Sequence, residues 1–123
     1  MTSRTLTIRI ERDASAALDA MASTVSAAWK TGAYQGEFRV YGKPEQLFRV
    51  FTPVRWGLLE ALQKLSAPIG LRPLARLVAR DPSSVLRDLN ALAEEDVVEK
   101  DAEGKWLCPF AAIHTDFTLA RAA

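Results

Sequence analysis

Arg72, Arg76, Arg80 and Arg87 fall in a stretch that holds one acid, Asp81. A guanidinium presents a planar fork of donors, which suits phosphate oxygens or the O6/N7 edge of guanine. Ser83 and Ser84 stand beside these arginines and can offer hydroxyls or backbone amides to a phosphate. Asn90 carries an amide of the kind that pairs bidentately with adenine. Between Asp88 and Glu103 the sign reverses: seven acids stand against Lys100, with Lys105 just beyond. The chemistry such a pattern suits is recognition of a polyanion by a local patch, with Arg87 reading a base or phosphate and Arg72, Arg76 and Arg80 positioning the backbone. Lys100 and Lys105 are candidates for further backbone contacts. Each has a plainer alternative: Arg87 paired with Glu94 or Asp88, the serines capping a helix, the lysines solvating the surface. Asp88 would be repelled by nucleic acid and is expected to orient Arg87 or another arginine.

Bond-making chemistry has little to work with. The chain has one histidine, His114, and one cysteine, Cys108, too few for a structural zinc site. A Cys/His nucleophile pair is outweighed by packing and surface roles for the two residues. Six glycines form no phosphate-cradling loop, and no paired carboxylates mark a cleft. The expectation is a protein that is not an enzyme and needs no cofactor or metal. With 123 residues, 49% of them hydrophobic and 25% charged, the chain has the composition of a soluble globular protein. No apolar run approaches the ~20 residues of a membrane span. The N-terminus lacks the layout of a secretory signal. A single cysteine suits a reducing cytoplasm. The net charge of +1 gives no global attraction to nucleic acid, so the signal is regional.

The candidate residues must be held by Leu71 to Leu92. Leu71 to Ala79 reads as a helix too short to stand alone in water. A tight turn follows at Arg80-Asp81-Pro82, then a second helix over about 83–95. That helix puts Val85, Leu86, Leu89, Leu92 and Ala93 on one face and Ser83, Arg87, Asn90, Ala91 and Glu94 on the other. Two short helices over a shared core, the second showing an arginine and small polar groups outward, form a helix-turn-helix pattern.

Other elements lie on both sides. Thr5 to Ile10 alternates as a strand with Leu6, Ile8 and Ile10 on one face. Asp13 can cap a helix to about Lys30, with Leu18, Met21, Val25 and Trp29 as its seam. Its many alanines suit packing on its own domain or contact with a second copy. Glu37 to Tyr41 is a second strand candidate. Leu47 to Phe51 fits a helical turn or a short strand. Thr52-Pro53 is the clearest boundary, an N-cap followed by proline at the first helical position. Phe51 and Trp56 are spaced for a hydrophobic staple. The helix should run to about Leu65 with Leu58, Leu59, Leu62 and Leu65 inward. Val97 to Lys100 and Lys105 to Cys108 read as a hairpin, with Gly104 in the left-handed position of its loop. Ala112 to Leu119 is a last strand candidate. The expected organisation is α+β: an N-terminal strand–helix–strand extension, 1–51, serving dimerisation, and a winged helix-turn-helix, 52–123.

Phe48-Arg49-Val50-Phe51-Thr52-Pro53, Arg55-Trp56 and Leu58-Leu59-Glu60-Ala61-Leu62 resemble small prokaryotic MarR-like winged-helix predicted transcriptional regulators. So do Leu74-Ala75-Arg76, Arg80-Asp81, Val85, Arg87-Asp88, Leu92, Gly104-Lys105 and the set Ile113, Asp116 and Phe117. The resemblance covers roughly residues 36 to 119. It implies a transcriptional regulator of the type often found as the antitoxin of a toxin–antitoxin pair, binding its own promoter and a small toxin. The expectation is a cytoplasmic homodimer that reads double-stranded DNA with helix 83–95. The alternative is a winged-helix protein–protein interaction module that binds no DNA.

Overall fold

The structure, a computed structural model, describes residues 4–11, 19, 22–23, 26 and 36–118. Its class is α+β. In chain order the elements are β1 (Thr5–Ile10), β2 (Glu37–Tyr41), α1 (Pro44–Val50), α2 (Pro53–Gln63), α3 (Leu71–Leu77), α4 (Pro82–Glu94), β3 (Glu99–Lys100), β4 (Trp106–Leu107) and β5 (Ala112–Asp116). The seam proposed from Leu18, Met21, Val25 and Trp29 lies outside the described residues. Of the helix that carries it, Asp19, Ala22, Ser23 and Ser26 are described; they are helical and exposed.

The chain divides into two compact units, one spanning Phe48–Ala111 and the other combining the segments before and after it. In the second unit β1 is the middle strand of a sheet ordered β2-β1-β5, parallel to both neighbours. Parallel neighbours need a crossover between them, and residues 11–36 supply the length for the β1–β2 connection. The register pairs Leu6 with Glu37 and Ile113, and Arg9 with Val40 and Asp116. One face of β1 therefore carries Leu6 and Ile8, both buried, and the other Thr7 and Arg9. Arg4 makes a bidentate ion pair with Glu37 at 2.6 and 2.9 Å. Arg9 reaches Asp116 at 3.0 Å and lies over the Phe38 ring at 5.8 Å. A division of the chain at 51/52 assigns the last strand to the second segment. Its pairing with β1 instead joins it to the N-terminal strands.

Leu47 to Val50 is helical, the last part of α1. Gln46 folds back to accept from the amides of Gly42 and Lys43, which fixes the turn into it. The unit Phe48–Ala111 is built on local signals. Thr52 Oγ1 accepts from the Arg55 amide at 3.3 Å, and Pro53 occupies the first turn. Phe51 stacks on Trp56 with ring centroids 5.1 Å apart, closing the hydrophobic staple. Leu58, Leu59 and Leu62 of α2, Leu74 and Ala75 of α3, and Val85, Leu89 and Leu92 of α4 meet Val97, Val98, Trp106 and Phe110 in one buried core. At about 1.5–3 kcal/mol for each large side chain fully removed from water, this shared core holds α3 and α4 in place. A seven-residue helix cannot supply that alone.

Both helices end in the same way. The Arg80 amide bonds the Ala75 carbonyl and the Ala79 amide that of Arg76, with Ala79 at φ 55°. At the end of α4, Val97 bonds Leu92 and Asp96 bonds Ala93, with Asp96 at φ 59°. These are Schellman closures with a non-glycine residue in the left-handed position. Ile69 exchanges two backbone bonds with Trp106, so the α2–α3 linker lies along the β3–β4 hairpin. In the hairpin loop Asp101 Oδ1 accepts from the amides of Glu103 and Lys105, both at 2.9 Å, and Gly104 takes φ 80°. Among the described residues no helix is long and apolar enough to cross a membrane.

Candidate functional site

The period of α4 decides what it shows. Val85, Leu89 and Leu92 are fully buried, which leaves Ser83, Arg87, Asn90 and Glu94 exposed along the opposite side. Arg87 and Asn90 have no hydrogen bond or ion pair among the described residues, though the Arg87 charge acts on Asp81. Arg72 and Arg76, one turn apart on α3, are likewise exposed and unpaired there. An open groove of about 460 Å³ runs from α3 to the start of α4, lined by Arg72, Ala75, Arg76, Ala79, Arg80, Asp81 and Pro82. Three guanidinium-bearing residues thus border a recess that reaches the start of α4.

The start of α4 is already capped. Asp81 Oδ2 accepts from the amides of Ser83 and Ser84 at 3.1 and 3.2 Å, and from the Ser83 hydroxyl. The bond from that hydroxyl, aided by the two amides and by the nearby Arg87 charge, holds the Asp81 carboxyl below its usual range. Ser83 and Ser84 therefore spend these donors on the cap, and a phosphate at this helix end would displace a carboxylate.

Arg80 belongs to a different structure. Asp88, on the flank of α4, accepts from Arg55 Nε at 3.0 Å and from Arg80 Nη2 at 2.6 Å. Arg55 also donates from Nη1 to the carbonyls of Val50 at 2.9 Å and Arg49 at 3.3 Å. One carboxylate thus ties α2, the α3–α4 turn and α4 together, and Arg55 closes the end of α1 as well. Burial pushes the Asp88 carboxyl up, but the bonds from Arg80 and Arg55 and their charges outweigh it, so it sits below its ordinary value. Arg80 Nη1 is enclosed and has no hydrogen-bond partner among the described residues. As the structure stands, Arg80 is a fastening for α4, and Asp88 orients Arg55 and Arg80 where Arg87 was the first candidate. Arg55 gave no signal as a site residue, because its partner is 33 positions away.

The hairpin lysines are also engaged. Lys100 Nζ lies 5.0 Å from the centroid of the Trp106 ring, and Lys105 stands 3.6 Å from Glu103. Cys108 is half-buried with its thiol 3.8 Å from the Phe110 carbonyl, and His114 is exposed on β5. Among the described residues no group of three or more His, Cys, Asp or Glu is placed to hold a metal ion. The structure therefore leaves Arg72 and Arg76 exposed on α3 and Arg87 and Asn90 exposed on α4, and gives Arg80, Ser83, Ser84, Lys100 and Lys105 partners within the chain.

What the geometry defines is a small α+β protein with exposed arginines on α3 and α4. The chain belongs to the HVO_A0114 family, whose model matches residues 50–115, more than half of its length. No curated protein and no solved structure matches it.

Proposed function

We propose that the unit Phe48–Ala111 is a winged helix-turn-helix and that the protein is a sequence-specific DNA-binding regulator of transcription. In this reading α2, α3 and α4 are the three helices, α4 enters the major groove, and the β3–β4 hairpin is the wing. The observation that carries it is the outward side of α4: an amphipathic helix buries Val85, Leu89 and Leu92 and leaves Arg87 and Asn90 exposed, with no hydrogen bond or ion pair among the described residues. Arg87 reads a base edge or grips a phosphate, and Arg72 and Arg76 hold backbone phosphates along the groove beside α3. The hairpin lies flat against the backbone at most, since Lys100 stacks on Trp106 and Asp101 and Glu103 add negative charge. Two copies acting on two half-sites supply the affinity that one short helix lacks. The regulator acts by occupying a promoter, and no step requires a catalytic group or cofactor. The antitoxin role implied by the resemblance adds a small toxin as partner, and co-purification with such a protein tests that part alone.

The test of the DNA reading is selection from a random duplex pool, followed by titration of the selected site. Arg87→Ala should weaken binding by about 1–3 kcal/mol with the circular dichroism spectrum unchanged. Wild-type affinity in that variant removes Arg87 from the interface. Failure of the wild-type protein to bind random duplex or heparin at low salt overturns the reading in favour of a protein partner.

A further inference from the structure

Among the described residues the sheet of the second unit ends on β5, and no strand pairs with its outer edge. Between Ala112 and Thr118 only Ile113 is half-buried; the rest are exposed, Phe117 by 42%. The stretch contains no proline, lysine or glycine, the residues with which natural edges refuse another strand. The opposite edge differs. Every residue of β2 is half-buried, Glu37 is bound to Arg4, and Gly36 and Gly42-Lys43-Pro44 stop the strand at both ends.

We infer that β5 pairs antiparallel with β5 of a second copy of this chain, about a two-fold axis through Thr115. The support is the edge's complementarity to itself in that one register. Thr115 opposes Thr115 of the second copy. On either side, and each twice by symmetry, His114 opposes Asp116, Ile113 opposes Phe117, and Ala112 opposes Thr118. Hydroxyl pairs, opposite-charge pairs and aromatic–β-branched pairs are the cross-strand combinations that stabilise antiparallel sheets. The His114 ring has no partner among the described residues, and both Arg9 bonds to Asp116 end on Oδ2, leaving Oδ1 for the imidazole N–H. Ile113 shares the face that carries Leu6 and Ile8 on β1, and continuing the alternation one residue past the end of β5 puts Phe117 on it too, so the apolar side continues across the joint. Moving the axis by one residue destroys this match. Centred on His114, the imidazoles oppose each other and Asp116 meets Ala112; centred on Asp116, two carboxylates collide. The product is a six-stranded sheet, β2-β1-β5 joined to its own copy, with the exposed edge removed.

This inference rests on strand register and not on the DNA reading, so the two fail separately. Sedimentation equilibrium of the full chain should give a dimer at micromolar concentration. Thr115→Lys places two ammonium groups opposite each other in the dimer but is an ordinary edge substitution in the monomer. It should weaken association at least about tenfold with the circular dichroism spectrum retained. Mixing the Thr115→Lys and Thr115→Glu chains should restore the dimer. In a Cys108→Ala background, Thr115→Cys should form an interchain disulfide on mild oxidation, because directly opposed antiparallel residues lie about 4.5–5.5 Å apart at Cα. Ile113→Cys, displaced from the axis, should not. A monomeric wild-type chain, a Thr115→Lys variant that remains dimeric, or equal cross-linking at 113 and 115 overturns the inference. Should Thr115→Lys fail to fold, the cross-linking result decides.

Discussion

Replacing Asp88 by alanine removes the one carboxylate that two guanidiniums share. The side chains of Arg55, Asp88 and Arg80 are 17%, 14% and 26% exposed, so neither arginine regains full hydration when its acceptor is lost. A hydrogen bond to a charged group contributes about 1.5–3 kcal/mol. Breaking a buried ion pair costs about 3–5 kcal/mol, because a charge is left without compensation. Residual access to water places this cluster at the lower end, and Asp88→Ala should lose about 3 kcal/mol of stability. Asp88→Asn keeps an acceptor for one arginine but surrenders the charge, and should lose about 2 kcal/mol. Urea unfolding followed by tryptophan fluorescence measures both, Trp56 and Trp106 lying in the affected unit, with the midpoint falling at unchanged slope. Arg80→Met combined with Asp88→Ala should cost less than the sum of the two alone, since each removes the same bond. A loss below about 1 kcal/mol for Asp88→Ala, together with lost DNA binding, would mean that Asp88 serves the interface and not the fold.

Acid provides a second measurement on the same cluster. The Asp88 carboxyl sits below its ordinary value of 3.8, so the folded protein binds this proton more weakly than the unfolded chain. The contribution of Asp88 is complete above the unfolded value and is lost as pH falls through the folded one. The stability gap between wild type and Asp88→Asn should therefore be widest near neutrality and narrow below about pH 4. A gap independent of pH would remove ionisation from the account.

Two backbone positions carry further expectations. Ala79 holds φ 55° at the end of α3, where glycine meets no penalty, so Ala79→Gly should stabilise the protein by about 0.5–1 kcal/mol; destabilisation would place that residue elsewhere in conformational space. Gly104 holds φ 80° in the hairpin loop, and a Cβ there meets no atom within 4 Å, so Gly104→Ala should cost about 1–2 kcal/mol through backbone strain alone. An unchanged urea midpoint for Gly104→Ala would refute the left-handed loop.

The features legible in the sequence are those whose partners lie within a turn or two. Thr52, Pro53, Phe51 and Trp56 declare the start of α2 because cap and staple are settled over six residues, and Gly104 marks its loop in the same way. The buried face of α4 follows from the 3.6-residue period once its start is known. The Schellman turn after α3 was hidden, since its left-handed position holds alanine and the usual glycine is missing. The role of Asp88 was visible only as a tendency to bind an arginine. Which arginine depends on how the tertiary structure brings α2 and the α3–α4 turn to Asp88, and the adjacent Arg87 is exposed. The strand at Ala112 was readable from alternation, but its pairing with Thr5–Arg9, over 100 positions earlier, is set by tertiary structure.

The balance of charge bears on how such a surface would work. Phe48–Ala111 holds nine basic and nine acidic residues, so the unit is neutral and its field has little reach. Of the basic groups near α3 and α4, Arg55 and Arg80 are bound to Asp88, which leaves Arg72, Arg76 and Arg87 for a polyanion. Three phosphate contacts imply a slope of about −2.7 in log affinity against log salt for one copy, and about twice that for two. Between 50 and 200 mM salt these slopes correspond to losses of roughly 40-fold and roughly 2,000-fold. A single copy at cellular ionic strength would thus hold random sequence weakly, and with Arg87 on a phosphate discrimination would fall to Asn90 and the spacing of two copies. The acids from Glu94 to Glu103 sharpen the same effect: they repel phosphate from the far end of α4 and leave its arginine-bearing end as the favourable approach. A neutral unit with segregated charge is therefore suited to local, oriented contact, and that is what the proposed reading requires of α4.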